Sequence, residues 1–204
     1  HWSYAWNDFD GEDAMFESDN TSWINCDAYN LYDRYSESPG NAADGWKVHG
    51  YYENYFYWEG CRAFNYSDDG FDPSGQAYRH FNNCWAMASN KYENIDEDWK
   101  IEGNGYKLTG MGFDYTPNYI PGEKNFVKIE NSIAADCTGS GGGVGFYNNI
   151  GVHRGGGYPN GARLINNFAY KNGIGYSDSN GSTYHNNIVY DSQGRDAIGW
   201  KYEL

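Results

Sequence analysis

Short apolar runs alternate with polar turns along the chain, and the alternation has period two, the signature of strands. Around Lys107, for instance, Tyr106 and Leu108 flank a polar position. One element recurs: Asn25-Cys26-Asp27-Ala28-Tyr29-Asn30, Gly60-Cys61-Arg62-Ala63-Phe64-Asn65, Asn83-Cys84-Trp85-Ala86-Met87, Asn131-Ser132-Ile133-Ala134-Ala135, Asn166-Asn167-Phe168-Ala169-Tyr170 and Asn186-Asn187-Ile188-Val189-Tyr190. The successive spacings are 35, 23, 48, 35 and 20 residues, as expected for a coil of fixed size carrying loop insertions. A second element, glycine plus an aromatic, follows each copy: Gly45-Trp46, Gly70-Phe71, Gly105-Tyr106, Gly145-Phe146, Gly175-Tyr176 and Gly199-Trp200. Each coil is therefore expected to hold two phased strands separated by a polar turn.

Repetition at this period reads as a solenoid. A leucine-rich repeat lacks its framework here, with four Leu in the chain. Helical repeats would need stripes of period 3.6, and none is present. The pattern predicts an all-β fold, a right-handed parallel β-helix with loop insertions, as a single domain over residues 1–204. It also allows a piece or a short form of a longer solenoid. Residues 1–20 read as part of an earlier coil, with a strand at 13–16 and a turn at 17–21. Residues 90–102 and 112–125 read as insertions. The Gly-rich segments 139–145 and 155–161 match no phosphate loop, because no Gly-Lys-Ser/Thr follows them.

Composition sharpens this picture. Mean hydropathy is −0.87, yet aromatics make up 19% of the chain, which supplies the buried area that a disordered chain lacks. Net charge is −14 with no basic face, which excludes an ordinary nucleic-acid binder. No apolar run approaches the length of a membrane span. The four cysteines form no CxxC pair, so a structural zinc site is not expected. Cys26, Cys61 and Cys84 share one coil position; they read as a buried stack of free thiols, with disulfides between neighbours as the alternative.

The candidate chemistry lies in Ser67-Asp68-Asp69-Gly70-Phe71-Asp72. Alone, this is an acidic turn. Aligning Asp44-Gly45-Trp46 with Asp69-Gly70-Phe71 stacks Asp44 beside Asp69. Carboxylates so close repel one another, so a cation is expected among Asp44, Asp68, Asp69 and Asp72. Oxygen donors without His or Cys favour calcium. No EF-hand is present, since the loop and its closing Glu are missing. Lys107 lies between inward-pointing Tyr106 and Leu108 and so faces outward on the same sheet, where it becomes a candidate base.

These motifs resemble the family 9 polysaccharide lyases, whose best-known members are secreted pectate lyases. The resemblance rests on Asn25 to Asn30 with Tyr32-Asp33, Asn41-Ala42-Ala43-Asp44-Gly45-Trp46, Cys61 to Asn65, Ser67 to Asp72, and Gly103-Asn104-Gly105-Tyr106-Lys107-Leu108. It runs from Asn25 to Tyr190 and departs from the family at Pro73. The resemblance implies one Ca²⁺ held by Asp44, Asp68, Asp69 and Asp72, Lys107 as catalytic base, and β-elimination on polygalacturonate or pectate outside the cell. Arg79, Arg154 and Arg163 are candidates to fork onto substrate carboxylates. The partner expected is a polyuronate, with no nucleic acid and no membrane. A monomer is expected, with end-to-end assembly as the alternative. The rival functions are a lyase of the same fold acting on another acidic polysaccharide, and a non-enzymatic, calcium-stabilised β-helix used for carbohydrate binding, adhesion or filament assembly.

Overall fold

The computed structural model describes residues 20–31, 40, 43–50, 55–75, 78–88, 103–108, 127–139, 143–148, 162–178 and 182–192. The chain winds in coils, each returning beside the one before. The first coil is β1 (Asn20–Ile24), β2 (Asp27–Leu31) and β3 (Trp46–Gly50). The second is β4 (Tyr55–Glu59), β5 (Arg62–Tyr66) and β6 (Asp69–Gly75). The third is β7 (Tyr78–Asn82), β8 (Trp85–Met87) and β9 (Asn104–Leu108). The fourth is β10 (Val127–Glu130), β11 (Ile133–Ala135) and β12 (Val144–Asn148). The fifth is β13 (Arg163–Ile165), β14 (Phe168–Tyr170) and β15 (Ile174–Asp178), and the sixth opens with β16 (Thr183–His185) and β17 (Ile188–Tyr190). Equivalent strands pair in parallel into three sheets: A from β1 to β16, B from β2 to β17, and C from β3 to β15. This is a parallel β-helix. Among the described residues, no helix is long and apolar enough to cross a membrane.

The coil has three strands where the repeat pattern predicts two. The extra strand is that of sheet A, which precedes each Asn turn. Its sequences (NTSWI, YFYWE, YRHFN, VKIE, RLI and TYH) share alternation but no fixed residue, so no repeat marks them. Asn20 and Thr21 belong to β1 and are not a turn. The expected strand at 13–16, the insertions at 90–102 and 112–125, the Gly-rich segment 155–161 and Gly199-Trp200 lie outside the described residues.

The recurrent Asn makes the corner between sheets A and B. Asn25, Asn83, Asn131, Asn166 and Asn186 all take φ between 51° and 54°, and Gly60 takes 62° at the equivalent position. Asparagine tolerates this left-handed conformation better than other non-glycine residues, which explains its choice here. The residue after it turns inward, and Cys26, Cys61, Cys84, Ser132, Asn167 and Asn187 form one ladder. The buried asparagines tie coil to coil. Ser132 N donates to Asn167 Oδ1 at 2.9 Å, and Asn167 Nδ2 donates to Ile129 O at 2.9 Å. All four cysteines are free thiols. Cys137 starts a second ladder at the corner between sheets B and C, where its N donates to Asn172 Oδ1 at 3.0 Å.

The core is aromatic. From sheet C, Phe71, Tyr106, Phe146 and Tyr176 stack with ring centroids 4.8–4.9 Å apart, one ring per coil. From sheet A, Trp23, Trp58 and Phe81 do the same at 4.9 and 4.5 Å. The glycine before each sheet C aromatic is dictated by space. A Cβ at Gly105 would lie 2.4 Å from Gly145 O and 2.9 Å from Ala134 Cβ. The blocking oxygen is backbone and cannot swing aside. Gly105→Ala is therefore expected to destabilise the protein by about 1–3 kcal/mol, the cost of overpacking a dense core, read as an earlier urea midpoint. An unchanged midpoint would contradict this packing.

Candidate active site

The candidate residues gather at sheet C because consecutive coils present aligned rows: Asp44-Gly45-Trp46-Lys47, Asp69-Gly70-Phe71-Asp72 and Asn104-Gly105-Tyr106-Lys107. Pairing Trp46 with Phe71 and Phe71 with Tyr106 fixes the register. The first position of each row (Asp44, Asp69, Asn104) forms one ladder, and the fourth (Lys47, Asp72, Lys107) forms another on the outer face. Strand spacing sets about 4.8 Å between neighbours.

Hydrogen bonds lock the first ladder. Asp69 N donates to Asp44 Oδ1 at 3.2 Å, Asn104 Nδ2 donates to Asp69 Oδ1 at 2.8 Å, and Val144 N donates to Asn104 Oδ1 at 2.8 Å. Asp68 enters from the residue before β6, where its N donates to Ala43 O at 3.3 Å. Carboxylate oxygens of Asp44, Asp68 and Asp69 lie within 4.8 Å of one another. Asp44 is 8% exposed, Asp68 and Asp72 are 5%, and Asp69 is 0%.

Two lysines stand among these carboxylates. Lys107 Nζ donates to Asp69 Oδ2 at 2.8 Å. Lys47 Nζ lies 3.0 Å from Asp44 Oδ2 and 3.4 Å from Asp72 Oδ2. Burial opposes the charge on each ammonium, but the carboxylates around it outweigh burial, so both lysines hold their protons more tightly than usual. Burial pushes Asp44 up to about 6, against the pull of Lys47. Burial and then the charges of Asp44 and Asp68 raise Asp69 well above the ordinary carboxylate range.

The sign of the resulting pH dependence follows. Asp44 and Asp69 bind protons more tightly folded than unfolded, so without a cation they cost stability as pH rises from the ordinary carboxylate range through the folded values. The melting temperature of the cation-free protein is expected to fall as pH is raised from about 4 towards 7. In Asp44→Asn the fall should be smaller; an equal or steeper fall would contradict a burial cost at Asp44 that exceeds the pull of Lys47.

The donor set fits a hard divalent cation. It offers carboxylate oxygens alone, crowded together and buried. The two ammonium groups already show that the pocket draws positive charge.

The other candidates fall elsewhere. Arg79 points into the helix from β7, 3% exposed, and donates from Nη1 to Pro73 O at 3.1 Å. Burial lowers its pKa to about 10, with Asp72 pulling the other way. It braces the end of β6 from beneath and offers no surface to a polymer. Arg163 is exposed on β13, paired in register with Lys128 and Thr183 on sheet A, away from the carboxylates. Arg154 lies outside the described residues. Lys47 and Asn104 are the site members that the sequence reading missed. Both stand in the aligned rows, so extending the alignment of Asp44 with Asp69 by three residues and one coil would have found them.

The family model for the Pel9A-like right-handed β-helix region matches residues 7–187. The chain belongs to the Pel9A-like right-handed β-helix family. Its coils therefore wind right-handed. Pectate lyase L of Dickeya chrysanthemi is 32% identical over 154 residues, covering 75% of this chain and 31% of that protein. Pectate lyase L of Dickeya dadantii (strain 3937) is 34% identical over the same length, with the same coverage. The chain thus spans about a third of the length of the curated relatives it matches. The crystal structure of pectate lyase Pel9A is 27% identical, with a TM-score of 0.48, covering 84% of this chain and 40% of that one. A rhamnogalacturonan lyase structure is 27% identical, with a TM-score of 0.46, covering 78% and 35%. Within this Pel9A-like chain, the candidate site lies on sheet C of the first three coils and on the turns that lead into β3 and β6.

Proposed function

We propose that this chain carries the active site of a secreted, calcium-dependent polysaccharide lyase that cleaves pectate by β-elimination. The observation that carries the reading is the contact between Lys107 and Asp69, which sets a candidate base directly on a buried carboxylate cluster. The relatives named pectate lyase support the substrate class.

Asp44, Asp68, Asp69 and Asp72 are the residues that would hold calcium. When bound there, calcium neutralises the uronate carboxylate and so makes the C5 proton more acidic. Lys107 does the proton transfer. As a free amine, its Nζ takes the C5 proton; the C5–H electron pair becomes the C4=C5 double bond; the C4–O bond breaks, and the departing sugar oxygen takes a proton from water. Lys107 cannot start this while Asp69 holds its proton in place. An Asp69 carboxylate that held a divalent cation would stabilise the Lys107 ammonium less and so favour the free amine. The same four carboxylates therefore bind the cation and control the base.

The test is ultraviolet absorbance of a 4,5-unsaturated uronide during incubation with polygalacturonate, rhamnogalacturonan or alginate, with calcium and with chelator. Absorbance is expected to rise on polygalacturonate with calcium and to stay flat with chelator. A rise on another polymer alone would move the substrate within the same chemistry. Absence of product from every polymer would sink the enzyme reading in favour of a calcium-stabilised binding protein.

A further inference from the structure

Lys47 follows Asp44 by three residues, as Asp72 follows Asp69 and Lys107 follows Asn104. All three belong to the outer ladder of sheet C, and Lys47 pairs in register with Asp72. Its ammonium spans two coils, 3.0 Å from Asp44 Oδ2 and 3.4 Å from Asp72 Oδ2. The carboxylates within 4.8 Å of one another are those of Asp44, Asp68 and Asp69, without Asp72. Lys47 Nζ therefore lies between the Asp44 and Asp72 carboxylates.

A cation that draws on all four aspartates needs the Asp44 and Asp72 oxygens that Lys47 now holds. An ammonium and a divalent ion cannot share those oxygens, because they collide in volume and repel in charge. The Lys47 side chain is 44% exposed, against 19% for Lys107. Lys47 is thus the freer of the two to turn out to solvent, while Lys107 is the more enclosed.

We propose that Lys47 is the resident counter-ion of the carboxylate pocket, competing with calcium for Asp44 and Asp72 and so setting the calcium concentration at which the site fills. The proposal rests on the calcium reading above. Lys47 acts through the aspartates and is a positioning residue. The alternative role, in which Lys47 braces Asp44 and Asp72 for the metal, predicts the opposite effect on affinity.

Calorimetric titration with calcium chloride alone, at neutral pH and low salt, distinguishes them. Lys47→Met is expected to bind calcium about two- to fivefold tighter than the unsubstituted protein, the equivalent of removing one part-exposed ion pair. Lys47→Gln, which keeps a polar head at this exposed position, should tighten binding in the same direction and covers the case in which methionine does not fold. Lys47→Arg should retain the weaker affinity. Without calcium, the melting temperature of Lys47→Met should drop, and calcium should restore it by more than it raises that of the unsubstituted protein. Equal or weaker calcium binding in both neutral variants overturns the competition and leaves the calcium reading standing. No calcium binding to any of the proteins, the unsubstituted one included, overturns both.

Discussion

Lys107→Ala is expected to lower the rate of unsaturated-product formation by about 10²–10⁴-fold, the usual contribution of a positioned proton acceptor. The loss should fall on kcat, with KM little changed. Lys107 is half-buried on the outer face of β9, between buried Tyr106 and buried Leu108, so truncating it leaves the inward packing of that strand intact. The variant should therefore fold and should still bind calcium. Calcium affinity should rise slightly, because an ammonium leaves Asp69. Full activity in the folded variant would remove Lys107 from the mechanism. A folded variant that neither binds calcium nor acts would assign Lys107 to metal binding.

Asp69→Asn should separate stability from function. Asparagine is nearly isosteric and keeps an Oδ1 that accepts from Asn104 Nδ2, so the ladder of Asp44, Asp69 and Asn104 survives. The buried charge disappears, and with it the cost that raises the pKa of this carboxyl. Asparagine also withdraws the acceptor of Lys107 Nζ, so without calcium the two effects oppose and the melting temperature should change little. With calcium, it should gain far less, since a central carboxylate ligand is gone. Calcium affinity should fall by about 100-fold or more, beyond the 10–100-fold usual for groups that only support a ligand. Product formation should fall with it. A variant that binds calcium as tightly as the unsubstituted protein would place the cation elsewhere.

The parallel stacking was legible because a coil must repeat its corners. The left-handed asparagines and the glycines under the aromatic stack occur where geometry allows little else, so they recur visibly. Sheet A was not legible. Its strands are held by backbone pairing and alternating burial, which any β-forming residues satisfy, as the contrast of YFYWE with TYH shows. The carboxylate ladder could be read from Asp-Gly-aromatic spacing alone, because register is set by the same repeat. The arginines could not. An inward-facing Arg79 is against expectation, since buried guanidinium is rare and costly without partners, and nothing local in the sequence distinguishes it from an outward one. Arg163 has the right chemistry on the wrong sheet, which only the three-sided coil reveals. Nothing local in the sequence distinguishes Lys47; its meaning comes from the carboxylates on two coils that meet around it.

The central claim is that one face of sheet C holds both the cation and the base. A crystal structure of the Lys107→Ala variant with calcium and an oligogalacturonate tests it most directly. The cation is expected about 2.3–2.6 Å from carboxylate oxygens of Asp44, Asp68, Asp69 and Asp72, with a uronate carboxylate completing its shell and the sugar C5 turned towards the space that Lys107 Nζ fills. A cation bound away from these aspartates, or an oligosaccharide lying along sheet A or B, would contradict it.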